Sequence, residues 1–589
     1  MKKVYLNEYN CPTYNTIYFP FSSGLLRAYA ETIPEIANNY EFMPFLFVRE
    51  TIDKIMEKYD NPSVVGFSNS VWNYQINLAV AKALKEKFPK CITVFGGPHV
   101  VKESKDFFTK HPFIDIVIFG EGEKTFAKLL IDLLNTDIQT HQVLLNTEEA
   151  TKDLDIFPSP YVSGMFDYML KKYPELEFKS IVETNRNCPF SCSFCFWGDY
   201  SSVKKVTNHS LEFVRAEAEW IAEKQIPYVF CADANFGMFS RDIEIAQAYA
   251  DIKQKNNYPE KFRVCYGKNK MDNVFATASI LSHADLAKTV TLAMQSDDKN
   301  VLKQINRANI KKEVYDNLQK KYTAAGIPTY TEIILGLPEE SKETFVNGLE
   351  SILRSSLDNQ VFVYHCQILP NTEMADLDYQ KKFDIKTAKN PLAEVHGSRR
   401  PDEIITEYED LIIQTGTMPV EDWIQCSKLA WVIQLLHGLK LGFYIVRWMY
   451  QNYEMKYTDF YEYIVDNLEY KTADDFNKIA SGIPKGIQRC QYRPEYGEIY
   501  WEPEEVAFLD IIYDKENFYV AFHDVIKQYL QDRNLEYNDK ILELIDYQKG
   551  IVPTPEDFDN SQDLAKEVIL YGRKSNKLVK SDPMIMPYS

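Results

Sequence analysis

The sequence predicts an α/β protein in three parts: an N-terminal doubly wound parallel sheet, a central partial (β/α)6 barrel and a C-terminal, mostly helical domain. Three observations carry that reading. Apolar strands alternate with helical patterns from about residue 62 to 135, the alternation restarts near 180 and runs to 367, and it stops near 390, where long amphipathic stretches take over. Strands alternating with helices of this length pair in parallel through crossover connections. At 589 residues the chain also exceeds one ordinary core, with about 150 residues expected per domain.

In the first part, SVVGFSNS, CITVFGGPH and DIVIFGEGE are the strands, and NLAVAKALKEKF and KTFAKLLIDLL are helical patterns around them. Such a Rossmann-like unit binds ligands at the carboxyl ends of its strands, which here carry SNSVWN, GGPH and GEGE. We assign it residues 1–150. A polar, proline-containing stretch at 151–177 reads as a linker. Six strands then follow: SIVETNR (180–186), YVFCADA (228–234), RVCYGK (263–268), TVTLAMQ (289–295), YTEIILG (330–336) and VFVYHCQ (361–367). Six repeats fall short of the eight of a full barrel, hence a partial one over 178–390. Residues 391–589 read as helical, with VEDWIQCSKLAWVIQLLHGLKLGFYIVRWMYQ and TDFYEYIVDNL as the clearest patterns and EIYWEPEEVAFLDIIYD less clearly assigned.

Composition narrows the function classes. With 66 Lys+Arg against 85 Asp+Glu the net charge is -19, so no general field favours nucleic acid, and no nucleic-acid partner is expected. The start, MKKVYLNEYNCPTYN, lacks the apolar core of a secretory signal, which makes the cytoplasm the expected compartment. The apolar stretch 429–450 is interrupted by Gln434, His437, Lys440 and Arg447 and reads as a core helix, not a membrane span. The basic run YGRKSNKLVK at 571–580 reads as a solvated face.

Of ten cysteines, seven are scattered singly and read as small buried hydrophobes. The other three stand together in CPFSCSFCFWG: Cys188, Cys192 and Cys195, spaced C-x3-C-x2-C, at the carboxyl end of the first barrel strand where barrel enzymes place catalytic groups. A closed zinc site needs a fourth ligand, and no His or Cys falls at the usual spacing. Three thiolates on a 4Fe–4S cluster leave one iron open to a substrate or cofactor. The three cysteines are therefore the candidate catalytic and cluster-ligating residues.

CPFSCSFC resembles the signature of the radical S-adenosylmethionine (SAM) enzymes, and the resemblance covers about residues 178–375. It implies that SAM binds the open iron and is cleaved by an electron from the cluster to methionine and a 5′-deoxyadenosyl radical, with an external electron donor such as flavodoxin or ferredoxin. It further implies SAM contacts at Phe194, the aromatic between the last two cysteines; at Asp233 and Asn235, which end the second strand; at Gln295 and Ser296; at Leu335 and Gly336 in the fifth-strand segment; and at Lys268, His365 and Gln367. Apart from Phe194, which also reads as packing around the cluster, these positions equally suit polar or packing residues satisfied at strand ends.

The N-terminal unit is similar to the cobalamin-binding domain that precedes the barrel in one large subclass. Ser68, Asn69, Trp72 and Asn73 in the first loop, Gly96 and Gly97 in GGPH, and Gly120, Glu121, Gly122 and Glu123 in GEGE are the matching positions. Other cobalamin folds often ligate cobalt through a D-x-H-x-x-G loop, whereas the first loop here contains no His, so the resemblance implies cobalamin held without a lower histidine ligand; His99 follows a different strand. A domain that has lost cobalamin and serves as scaffold is the rival reading. Together the two domains resemble enzymes that methylate an unactivated carbon, here of a peptide or other small-molecule natural-product intermediate. Epimerisation, cyclisation or rearrangement is the second enzymatic reading. A cofactor-sensing regulator is the third, and the chain shows no helix-turn-helix or basic stripe to serve as its output.

Overall fold

The computed structural model describes residues 1–10, 15–102, 106–135, 142–147, 151–199, 205–268, 270–355, 360–392, 405–496 and 499–555. Cys11 and the basic run at 571–580 lie outside the described residues. The chain forms two compact units: Met1–Lys288 with Ile368–Tyr379 and Pro401–Glu409, and Thr289–Gln367 with Gln380–Arg400 and Asp410–Ser589.

The first unit contains the doubly wound sheet. Its parallel strands run in the order Tyr40–Phe42, Lys2–Asn10, Val64–Ser68, Ile92–Gly96, Ile116–Phe119 and Val143–Asn146, with Leu46–Val48 also paired to Lys2–Asn10. The helices Tyr74–Lys87 and Gly122–Asn135 are those expected from the apolar periodicity. Between helix and sheet, Val65, Phe67, Ile76, Val80, Leu84, Phe95 and Val117 form a buried core. The strand Lys2–Asn10 was not expected. It lies inside the sheet, yet its apolar run is broken by Asn7 and Glu8, which are buried on partners: Asn7 donates to the Tyr59 hydroxyl (2.8 Å), and Glu8 accepts from the Ser23 amide (2.7 Å).

A second parallel sheet in this unit has the order Lys261–Tyr266, Tyr228–Phe236, Glu177–Val182 and Thr16–Tyr18. Its last strand comes from the N-terminal part of the chain. Residues of the stretch 151–177 are packed here as well, with Tyr161 and Phe166 fully buried against Phe19 and Tyr161 also against Trp220.

The second unit carries a parallel sheet in the order Val290–Gln295, Thr329–Leu335 and Gln360–His365. All six expected barrel strands are therefore present, within a few residues of their expected bounds. The rest of this unit is mainly helical, with Val420–Ile433, Phe443–Tyr453, Tyr457–Asn467, Lys471–Gly482, Pro503–Tyr513, Lys515–Asp532 and Lys540–Ile551 as its main helices. EIYWEPEEVAFLDIIYD resolves into a short strand, Ile499–Trp501, and a helix starting at Pro503, whose first turn is closed by a capping box of Glu502 and Glu505. Among the described residues no single helix is long and apolar enough to cross a membrane; Val420–Gly438 and Phe443–Tyr453 reach that length and composition only as a pair bent by 99°. Every residue of 429–446 is buried.

Burial raises several acids of the first unit, Glu8 and Asp233 each to about 7 and Glu217 furthest, so its stability is expected to depend on pH. Glu217 is 2% exposed and accepts a single side-chain hydrogen bond, from the Ser159 hydroxyl (2.6 Å). Burial pushes its carboxyl from an ordinary 4.5 up to about 8, with the Ser159 bond opposing. The native state keeps a proton that the unfolded chain has released, so this contribution to stability declines as pH rises from about 4.5 to about 8 and is level above that. Glu217→Gln, isosteric and uncharged, is expected to make that part of the melting-temperature profile shallower, leaving the slope due to Glu8 and Asp233. An unchanged slope between about pH 5 and 8 would show that the carboxyl is already ionised in the native state.

Candidate active site

The strand Glu177–Val182 leads directly into the cysteine loop, and the neighbouring strand Tyr228–Phe236 fixes that loop at its root. Asp233 is fully buried, and its carboxylate accepts from the amides of Thr184 (2.7 Å) and Asn185 (3.1 Å), from Asn185 Nδ2 (2.7 Å) and from the Thr184 hydroxyl. Two residues on, on the same face of the strand, Asn235 Nδ2 donates to Cys188 Sγ at 3.2 Å. Of the two positions expected at this strand end, Asp233 thus holds the loop and Asn235 meets the first cysteine.

The loop turns through a Cys195 amide to Cys192 carbonyl bond (3.0 Å). All three thiols are half-buried; Phe194 is half-buried, and Trp197 is 39% exposed. Burial raises the Cys195 thiol, the Trp197 amide opposes this, Cys192 and Cys188 raise it further, and Lys268 draws it down. Lys268 therefore belongs to the electrostatic surroundings of the cysteines. Among the described residues no three His, Cys, Asp or Glu side chains close around a single metal ion. Three neighbouring soft donors with a hydrogen-bond donor on one sulfur suit an iron–sulfur cluster. The scattered cysteines behave differently: Cys91, Cys231, Cys366, Cys426 and Cys490 are buried, and Cys265 is half-buried.

The remaining expected SAM positions belong to the second unit. Gln295 ends its strand with φ +65°, is buried, and has no hydrogen-bond partner on Oε1; Gln367, beside Leu411, likewise has a buried Oε1 without a partner. These two carbonyl oxygens can accept from a ligand. Ser296 instead donates to Glu340 (2.7 Å), and Leu335 is core. Gly336 has φ +98°, and a Cβ there would lie 3.2 Å from the Ile412 carbonyl. His365 is enclosed: Nε2 meets the Ser427 hydroxyl at 3.0 Å, Nδ1 meets Arg489 at 3.1 Å, and the Trp423 ring lies 4.7 Å away. Burial and the adjacent guanidinium hold this imidazole well below its ordinary pKa, hence neutral. Because Arg489 can only donate, Nδ1 accepts and the proton sits on Nε2, facing Ser427. Ser427 and Arg489 lie 62 and 124 residues away, too far for any spacing rule to reveal them.

In the N-terminal sheet the expected cobalamin positions divide into framework and open surface. Asn69 is fully buried: its side chain donates to the carbonyls of Phe67 (2.9 Å) and Gly96 (2.9 Å) and accepts from Asn77 (2.9 Å). Asn73 accepts from the Ser70 amide (2.8 Å) and donates to the Tyr9 carbonyl (3.2 Å). These asparagines build the loop that presents half-buried Ser68 and Trp72, which is 42% exposed. Gly97 has φ +97°, and a Cβ there would come within 2.7 Å of the Asn69 carbonyl oxygen; Gly96 has nothing nearer than 3.7 Å. A large ligand can therefore approach at Gly96, while Gly97 keeps the two strand ends together.

In the GEGE turn, Gly120 (φ +95°) packs against Thr147, Gly122 against Leu26, and Glu121 accepts from the Thr151 amide (2.9 Å). Glu123 is buried and ion-paired at 2.7 Å with Arg186, two residues before Cys188. His99 lies against the Tyr74 ring at 4.5 Å, and burial lowers its pKa to about 4, so it is neutral near pH 7. A face built of backbone, glycine and an exposed indole, with no His in its first loop, fits a broad macrocycle held by contact area.

The Radical SAM superfamily model matches residues 182–352, and the B12 binding domain model matches residues 39–130. The chain is 35% identical over 459 residues to the 2-(S-pantetheinyl)-carbapenam-3-carboxylate methyltransferase of Streptantibioticus cattleyicolor, an alignment covering 76% of this chain and 67% of that protein. It is 35% identical over 485 residues to the cobalamin-dependent radical SAM methyltransferase TokK of Streptomyces tokunonensis, covering 79% and 69%. A solved structure of the radical S-adenosylmethionine methyltransferase TsrM from Kitasatospora setae, with cobalamin and a 4Fe–4S cluster bound, aligns with a TM-score of 0.47 at 15% identity, over 64% of this chain and 74% of that one. With both domains matched and this identity sustained over most of its length, the chain belongs to the cobalamin-dependent radical SAM methyltransferases, enzymes whose cofactors are a 4Fe–4S cluster, SAM and cobalamin.

Proposed function

We propose that this enzyme transfers a methyl group from SAM to an unactivated carbon of a small natural-product intermediate. The supporting observation is the 35% identity, over 76% of the chain, to a methyltransferase named for a carbapenam carboxylate. The division of labour follows the sequence: residues 1–150 hold cobalamin, 178–390 hold the cluster and SAM, and 391–589 select the substrate. Bound together, these cofactors supply one-electron chemistry at carbon and a transferable methyl group.

The chain's own residues bind, orient and exclude. Cys188, Cys192 and Cys195 would hold the iron–sulfur cluster, and Asn235, through its bond to Cys188 Sγ, keeps the loop in place. In the second unit, Gln295 and Gln367 have buried Oε1 atoms able to accept from a ligand hydroxyl or ammonium group. Gly96 and Trp72 form the face against cobalamin. No side chain is needed as a nucleophile; placement and dryness are the protein's contribution. The electron is drawn from a reduced flavodoxin or ferredoxin in the cytoplasm.

The test is anaerobic reconstitution with iron, sulfide and cobalamin, then incubation with methyl-labelled SAM, a reductant and a carbapenam carboxylate. Label in the organic product, together with 5′-deoxyadenosine, is the expected result. Formation of 5′-deoxyadenosine with an epimerised or rearranged product that carries no label would replace methyl transfer by the second radical chemistry.

A further inference from the structure

The segment Ile368–Tyr379 has no role in the reading above, yet it touches both candidate cofactor loops of the first unit. Asn371 Nδ2 donates to the carbonyls of Val100 (2.7 Å) and Pro98 (3.3 Å), and its Oδ1 accepts from the Lys102 amide (3.0 Å). One side chain thus gathers the turn that follows GGPH. Three residues later the Met374 amide donates to the Ser193 carbonyl (3.1 Å), and the Tyr379 hydroxyl lies 3.2 Å from the Ser193 hydroxyl. Ser193 sits between Cys192 and Cys195.

The segment is built to be stiff. Asn371 holds φ +65°, a conformation that Asn and Gly accept more readily than other residues. Met374 is fully buried, and Asp376 caps the next turn through the amides of Asp378 (2.8 Å) and Tyr379 (3.1 Å). The span is bonded at one end to the turn at Pro98–Lys102 and at the other to the cysteine loop.

We propose that Ile368–Tyr379 is a strap that sets the distance between the cobalamin loop and the cluster loop, with Asn371 as its positioning residue. The inference rests on the methyl-transfer reading for its consequence in the reaction, but not for the strap itself. Transfer between two cofactors is sensitive to misplacement at the ångström scale, so a loosened strap should separate SAM cleavage from methylation.

Asn371→Gly tests it, because glycine keeps the left-handed backbone and deletes only the side-chain bonds. In the cofactor-free full chain, hydrogen exchange at the Lys102 and Met374 amides should accelerate together by about tenfold, with peptides spanning 188–196 following and the core strand Ile92–Gly96 unchanged. Acceleration at Lys102 alone would overturn the strap, leaving two unrelated contacts. In the loaded enzyme, the ratio of 5′-deoxyadenosine to methylated product should rise about fivefold or more while iron content and the cobalamin visible spectrum stay at parental values. An unchanged ratio beside loosened loops would overturn its role in the reaction. Failure of the parent to methylate would count against the proposed function and leave the exchange result to decide the strap.

Discussion

Alanine at Cys188, Cys192 or Cys195 is expected to bring 5′-deoxyadenosine formation below about a thousandth of the parental rate, a barrier increase of at least about 4 kcal/mol. Two thiolates hold an iron–sulfur cluster poorly, and without a cluster there is no open iron and no electron for SAM. The fold should not notice. The three thiols are half-buried loop groups rather than core, and removing one should change unfolding free energy by about 1 kcal/mol or less. Iron and sulfide content, the cluster's visible absorption and the thermal melt measure these effects separately. A variant that keeps its cluster and cleaves SAM would remove that cysteine from the ligand set.

The second large effect is expected at Gly97. A Cβ there would lie 2.7 and 2.8 Å from the backbone O and N of Asn69, and φ +97° is a region that residues with side chains avoid. Backbone cannot swing aside as a flexible side chain can, so Gly97→Ala should destabilise the N-terminal sheet by about 2–5 kcal/mol, combining strain with overpacking. Neighbouring Gly96→Ala makes the complementary case. Its Cβ would meet only the Ile118 carbonyl oxygen, at 3.7 Å, so the melt should stay near parental while cobalamin binding weakens. Thermal melts paired with the cobalamin visible spectrum distinguish the two. Equal loss of binding at equal stability for both variants would contradict the assignment of Gly97 to framework and Gly96 to the ligand face.

The parts of this molecule that the sequence announces are those with local causes. VFCADA and TEIILG reveal strands because β-branched and aromatic runs bounded by turn residues suit a buried parallel sheet. CPFSCSFC reveals a cluster because ligand spacing is itself short-range. Lys2–Asn10 is not legible in the sequence because Asn7 and Glu8, which read as solvent-facing polarity, are buried on distant partners, Tyr59 and the Ser23 amide. Pairings across long separations were equally invisible: Arg186 with Glu123 is 63 residues apart, Asn371 with Val100 is 271, and Glu407 with the Gln75 amide is 332. Asp233, which the resemblance implies as a SAM contact, accepts from donors on Thr184 and Asn185, 49 and 48 residues away, pairings that no local pattern reveals.

The short strand Thr16–Tyr18 bears on how this enzyme can be divided. It pairs in parallel with Glu177–Val182, the strand that carries the cysteine loop, so an early stretch of chain closes a flank of the sheet built more than a hundred and fifty residues later. A fragment beginning at residue 178 would expose that flank as an unpaired edge, ready to pair with other copies. It should be recovered as aggregate, and a peptide carrying the missing strand should restore it to solution. Gene fusions and domain exchanges in this protein should therefore carry residues 15–18 with the barrel, whichever cofactor domain is being replaced.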